Sequence, residues 1–149
     1  MSVAQRGQVL VFFALVLPLI LLPVAAYAVD AAVSASTMAR LQEATTRAAE
    51  EAAQQLDAGR FRAGRGIAVD VTSALTVAVD VIRASEPGAT VISVAVSGTT
   101  VRVQTVEKVI LPMRFVGAQD PTVDAYALAR LAVGYDRPSS RLPLLTSTF

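Results

Sequence analysis

From Gly7 to Val29 the chain carries no charged side chain, and from Val9 onward the run is almost wholly Val, Leu, Phe, Ala and Ile. About 20 such residues in a helix cross the hydrocarbon core of a bilayer. The run therefore reads as a transmembrane helix over 9–29. Pro18 and Pro23 lie inside it. Membrane helices carry proline because neighbouring groups recover the lost hydrogen bond, and a proline predicts a kink. A cleavable signal peptide is the competing reading. Its basic region would be Met1–Arg6 and its cleavage motif Ala26-Tyr27-Ala28, with Pro23 breaking the helix just before the cut. Both readings place the rest of the chain outside the cytoplasm.

The charges divide sharply around this run. Of 13 Lys and Arg and 12 Asp and Glu, only Arg6 precedes it, which leaves 12 of each sign beyond it. The short basic tail over 1–8 and the Asp30 at the far end predict a cytoplasmic N-terminus and an extracytoplasmic C-terminal part. The run also explains a composition of 54% apolar and 17% charged residues, against about 45–50% and about 25% in soluble domains. Cysteine, histidine and tryptophan are absent. Without Cys and His there are no disulfides, no thiol catalysis, no common zinc sites and no Ser-His-Asp triads. A net charge of +1 argues against a nucleic-acid partner, since such proteins carry a strong positive excess.

Beyond Asp30 the chain predicts an α+β ectodomain. Residues 30–57 contain no Gly or Pro and are rich in Ala, Leu, Gln, Glu and Arg, which favour helix. Val33, Thr37, Leu41, Ala44, Ala48, Ala52 and Leu56 recur at spacings of three or four and form a narrow stripe. No stop signal separates this helix from the membrane run, so the two form one rod. Gly59, Gly64 and Gly66 predict a loop carrying Arg60, Arg62 and Arg65. A second helix is expected over 67–85, with Val71, Leu75, Ala78, Val79 and Ile82 on one face, ending at Glu86-Pro87-Gly88.

The period then changes to two. Val91, Ser93, Ala95 and Ser97 alternate with Ile92, Val94 and Val96, and after Gly98-Thr99 a second alternating run begins at Val101. This predicts a β-hairpin whose second strand reaches Ile110 or Leu111. A third run over 123–133 places Val123, Ala125, Ala127, Ala129 and Leu131 opposite Asp124, Tyr126, Leu128 and Arg130. It offers a sheet edge for strand addition. The expected organisation is a tail over 1–8, a transmembrane helix over 9–29, an amphipathic helix over 30–57, an α+β body over 58–136 with three to four antiparallel strands, and a loose tail over 137–149.

Catalytic constellations are missing from this layout. Asp70 and Asp80 are ten residues apart on a helix, Asp120 and Asp124 straddle a proline turn, and Ser34, Ser36 and Ser73 have no His or Lys partner at any obvious spacing. Lys108, the one lysine, adjoins Glu107 and reads as an exposed pair. There is no phosphate-binding glycine loop and no calcium loop. The expectation is a non-enzyme without cofactor or metal. Two ridges of small residues, Ala28-Ala32-Ser36 and Ala44-Ala48-Ala52, suit close helix packing against a partner helix, including a second copy of the chain.

The first thirty residues resemble a known family. Arg6-Gly7-Gln8-Val9-Leu10-Val11-Phe12-Phe13-Ala14-Leu15-Val16-Leu17-Pro18 is similar to the start of TadE/TadG-like proteins of tight-adherence (Flp) pilus systems, in which Arg-Gly precedes a Phe-Ala-Leu-x-Leu-Pro motif. Here Phe13, Ala14, Leu15, Leu17 and Pro18 carry that motif, and Asp30 matches an Asp near the membrane exit. The resemblance implies a bacterial, membrane-anchored, pilin-like protein. Its partners would be other pilins, pseudopilins or Tad assembly proteins. It also implies prepilin-peptidase cleavage between Gly7 and Gln8 for a pilin-like member. Pseudopilins of this kind carry a Glu five residues past the cut, where this chain has Phe12. An unprocessed TadG-like anchor therefore fits better than a major pilin.

Overall fold

The computed structural model describes residues 3–114 and 119–132. Its dominant element is α1, Val3–Ala53, a single helix of 51 residues. At 1.5 Å per residue it is about 76 Å long. The helix is continuous through Pro18 and Pro23, so the break expected before the Ala26-Tyr27-Ala28 motif is not there. Its upper half buries Thr37, Leu41, Ala44, Ala48 and Ala52, five members of the predicted stripe. The helix ends earlier than Asp57. Gln54 and Gln55 donate to Glu51 O and Ala52 O, tightening the last turn. The chain then pairs with 68–70 instead: Asp57 N donates to Ala68 O at 2.9 Å and Asp70 N to Gln55 O at 2.7 Å. Leu56, the last predicted member of the stripe, lies beyond the helix and is exposed.

The glycine-rich stretch is not wholly a loop. It contains α2, Ala58–Arg62. Asp57 caps this turn, its Oδ1 accepting from Arg60 N at 2.8 Å. The next helix, α3, is Val71–Ser85 rather than 67–85, because Asp70 caps it. The Asp70 carboxylate accepts from Ser73 N at 2.7 Å, and its hydrogen bonds to Ser73 hold its pKa below the ordinary carboxylate value. The buried face of α3 is Ala74, Ala78 and Ile82, while Val71 and Leu75 are exposed. The predicted face gives weight to the larger residues. Where α3 meets α1, however, α1 presents Ala44, Ala48 and Ala52, and close approach puts the small Ala74 and Ala78 at the contact.

Three strands complete the body: β1, Ala89–Ser97; β2, Thr100–Lys108; and β3, Thr122–Arg130. They form one antiparallel sheet in the order β1-β2-β3. Gly98, with φ of 61°, opens the two-residue turn between β1 and β2. The predicted alternation in β1 holds only in part. The register shifts between Val91 and Ser93, so Val91, Val94 and Val96 all turn inward and pack against the core. Ile92 is left outside at 57% exposure. Strand β2 stops at Lys108, short of Ile110, and Val109 N donates to Pro121 O beyond the strand's end. The predicted third run is β3, with Ala125 and Ala127 buried and Tyr126 and Leu128 exposed. Val133 and the tail over 137–149 lie outside the described residues.

Helices α1 and α3 cover one face of the sheet. One core cluster joins Ala49, Ala52 and Ala53 of α1 and Ala74 and Ala78 of α3 to Val101, Val103 and Ala127 of the sheet, and a second joins Ala44 and Ala48 of α1 to Ile82 of α3. On the buried side of α1, Thr45 Oγ1 donates to Leu41 O at 2.7 Å. Thr45 and Thr105 hydroxyls lie 2.6 Å apart. Since the Thr45 proton is committed to a carbonyl, Thr105 is the donor in that pair. This one polar contact ties the middle of α1 to β2.

Candidate functional site

Two regions could carry function: the bare lower half of α1, and the collar where α1 leaves it. The lower half is long and apolar enough to cross a membrane, and almost none of it is covered by the rest of the chain. Phe13, Ala14, Leu15, Leu17 and Pro18 are all exposed. Phe12 and Phe13 pack edge to face, with ring centroids 6.1 Å apart. Gly7 and Gln8 fall within the helical span.

The two small-residue ridges have different surroundings. Ala44, Ala48 and Ala52 are buried in the chain's own core against α3 and the sheet. Ala28, Ala32 and Ser36 remain exposed along α1, the Ser36 hydroxyl donating to Val33 O at 3.0 Å. Only this lower ridge is open to another helix.

The collar is built around two aspartates. Asp30 is 8% exposed and lies on the buried side of α1. Its Oδ1 accepts from Met113 N at 3.0 Å, joining the end of the apolar run to the β2–β3 connection. Asp120 organises the base of that connection. It accepts from Leu111 N at 3.3 Å, pairs with Arg114 at 2.9 Å and lies 3.7 Å from Lys108. Arg114 adopts φ of 42°, left-handed for a non-glycine residue. Lys108, Arg114, Gln119 and Asp120 line a shallow polar groove of about 340 Å³. Lys108 therefore pairs with Asp120 and not with its neighbour Glu107 as the sequence suggests.

Glu107 turns instead toward Glu86 and Arg40. Arg40 lies 3.7 Å from Glu86, and the Glu107 Oε2 atom is buried with no hydrogen-bond partner. Burial, followed by repulsion from Glu86, pushes the Glu107 carboxyl up from its ordinary value, and Arg40 opposes the shift. A β-carbon on Gly88 would stand 3.1 Å from Glu107 Oε1, so a side chain there would press on the Glu107 carboxylate.

The sheet edges are blunted. The Gln42 side chain donates to Tyr126 O on β3 at 3.1 Å, and the register shift interrupts β1 on the other side. Asp70 and Asp80 are not brought together as a pair, Asp70 serving as a helix cap and Asp80 facing Arg83 at 3.7 Å. Among the described residues no group of three or more Asp or Glu is placed to hold a metal ion. Sequence reasoning misses the contacts of Asp120 and Met113, which depend on chain reversal at the β2–β3 connection. Asp30 itself stands out, as the first charge after the apolar run.

Compared with protein-family models, with curated proteins and with solved structures, the chain finds no match in any of the three.

Proposed function

We propose that this chain is a membrane-anchored, TadE/TadG-like pilus-assembly protein of a tight-adherence system. In this reading the lower half of α1 spans the bacterial cytoplasmic membrane once and the α+β body stands outside the cytoplasm. The observation that carries the anchor is the division of α1: one unbroken helix is bare and apolar below Asp30 and packed into a folded body above it. The Arg6-Gly7 start and the Phe13-Ala14-Leu15 to Pro18 motif support the pilus assignment. The protein acts by packing against other helices in the membrane and by contacts of the body, not by catalysis.

A second reading, a pilin-like filament subunit cut between Gly7 and Gln8, draws on the exposed Ala28-Ala32-Ser36 ridge. Pilin helices pack side by side in a filament, and small residues allow that approach. Intact-mass measurement on protein extracted from membranes separates the readings. A start at Met1 or Ser2 supports the unprocessed anchor, and a start at Gln8 supports the filament subunit. A start at Val29 overturns both. Recovery in sheared surface filaments, set against recovery in the membrane, then distinguishes subunit from assembly factor.

A further inference from the structure

We infer that residues 109–114, which follow β2, are a second membrane contact: Asp30 holds Met113, with Arg114 beside it, in the phospholipid headgroup layer, so that the body rests on the bilayer. The inference rests on the proposed anchoring of α1. The apolar run over 9–29 is about 31 Å long as a helix, close to the roughly 30 Å of a hydrocarbon core. Asp30 is the next residue, and so marks the headgroup level. Met113 N is bound to its carboxylate at 3.0 Å, which sets Met113 at the same level. The chain reaches it from higher up, since Thr105 lies beside Thr45, fifteen residues above Asp30 on α1.

Three further observations converge on this level. Ala26 lies one turn below Asp30, inside the apolar run. It is only 9% exposed while Ala25 and Ala28 are exposed, so the buried side of α1 begins a turn below Asp30. Tyr27 is 73% exposed at the height where aromatic rings favour the interface. Residues 108–114 present an apolar and a cationic component together. Ile110 and Met113 are exposed, and beside them the exposed Lys108 and Arg114 side chains both reach the Asp120 carboxylate. Exposed apolar side chains beside cations are the chemistry of a phospholipid interface. A bilayer contact here restricts the tilt of the body, which α1 alone leaves open.

The chain has no cysteine, so one introduced cysteine is a unique labelling point. The test uses full-length Leu15→Cys, Met113→Cys and Tyr126→Cys variants, each carrying an environment-sensitive fluorophore. They are reconstituted in phosphatidylglycerol–phosphatidylcholine vesicles with nitroxide quenchers at the headgroup or deep in the acyl chain. Tyr126 lies level with Gln42, about 18 Å above Asp30 along α1. The expected result is deep quenching at Leu15, shallow quenching at Met113 several-fold above that at Tyr126, and a blue-shifted emission at Met113. Adding Asp30→Ala to Met113→Cys lowers the shallow quenching. Quenching at Leu15 with Met113 no different from Tyr126 overturns the contact and leaves the anchor standing. No quenching at Leu15 overturns the anchor, and the contact with it. Unchanged Met113 quenching in the Asp30→Ala variant overturns the role given to Asp30.

Discussion

The two halves of α1 share one backbone and almost nothing else. Below Asp30 the helix tolerates two prolines and exposes Leu, Val and Phe on every side. Above it there is no proline, charges appear, and the inward stripe narrows to Thr, Leu and Ala. The lower half satisfies its surroundings by being uniformly apolar, so the position of any one residue matters little. The upper half satisfies them by shape, since Ala48 and Ala52 lie where α3 and the sheet come closest. Identical substitutions should therefore cost the body stability in the upper half and leave it unchanged in the lower.

The largest contrast is expected from Leu→Ala. Leu41 is fully buried, and Leu41→Ala should destabilise the body by about 2–5 kcal/mol. Leu19, among the most exposed residues of the lower half, should leave the body's stability within about 0.5 kcal/mol when changed to Ala. Denaturant unfolding in detergent, followed by loss of sheet signal, checks both. Equal effects would break the division at Asp30. A smaller contrast is expected from added volume. Ala48→Leu overfills a site with no space and should cost about 1–3 kcal/mol, whereas Ala32→Leu on the open ridge should leave the same unfolding midpoint unchanged. If Ala32→Leu weakens self-association in a crosslinking assay, the open ridge is also a contact between copies.

Much of this division is legible in the sequence, because it rests on local pattern. An uncharged run, a stripe at helical spacing and two alternating runs around Gly98 reveal the rod and the hairpin without any knowledge of tertiary contacts. The failures share a cause. Simple alternation aligns Ile92 with Val94 and Val96, and the extra residue in β1 is invisible until β2 lies beside it. Helical spacing gives Val71 and Leu75 to the core of α3, but a neighbouring helix surfaced with alanine selects small residues at the contact. The collar depends on Asp30 meeting Met113, 83 residues away, and no periodicity encodes that meeting.

The buried polar tie between Thr45 and Thr105 sharpens the comparison further. Thr45→Val removes the acceptor for the Thr105 hydroxyl at a site with no water access. An unsatisfied buried hydroxyl costs about 1–3 kcal/mol. Replacing both residues, Thr45→Val with Thr105→Val, removes donor and acceptor together and should recover part of the loss. A double-mutant cycle by chemical denaturation measures the coupling. If the two single losses simply add, the hydrogen bond does not hold α1 to β2.

The smallest effect concerns a charge cluster beside the upper half. Arg40 on α1 faces Glu86, and Glu107 lies beside both with its carboxyl pushed up by burial and by Glu86. A raised folded-state value means that the folded chain holds this proton more tightly than the unfolded one. The stabilising contribution is complete below the unfolded value near 4.5, and it is lost as pH rises through the higher folded value. At neutral pH the ionised carboxylate is a net liability to the body. Glu107→Gln should therefore raise the melting temperature at pH 7, leave it nearly unchanged at pH 4, and flatten the pH dependence between. The lower half of α1 has no titratable partner in this cluster, so its helical signal should not follow the same profile. Thermal melts of the two proteins across that range read both quantities. A Glu107→Gln chain with the parent's pH slope would remove Glu107 as the source of that slope.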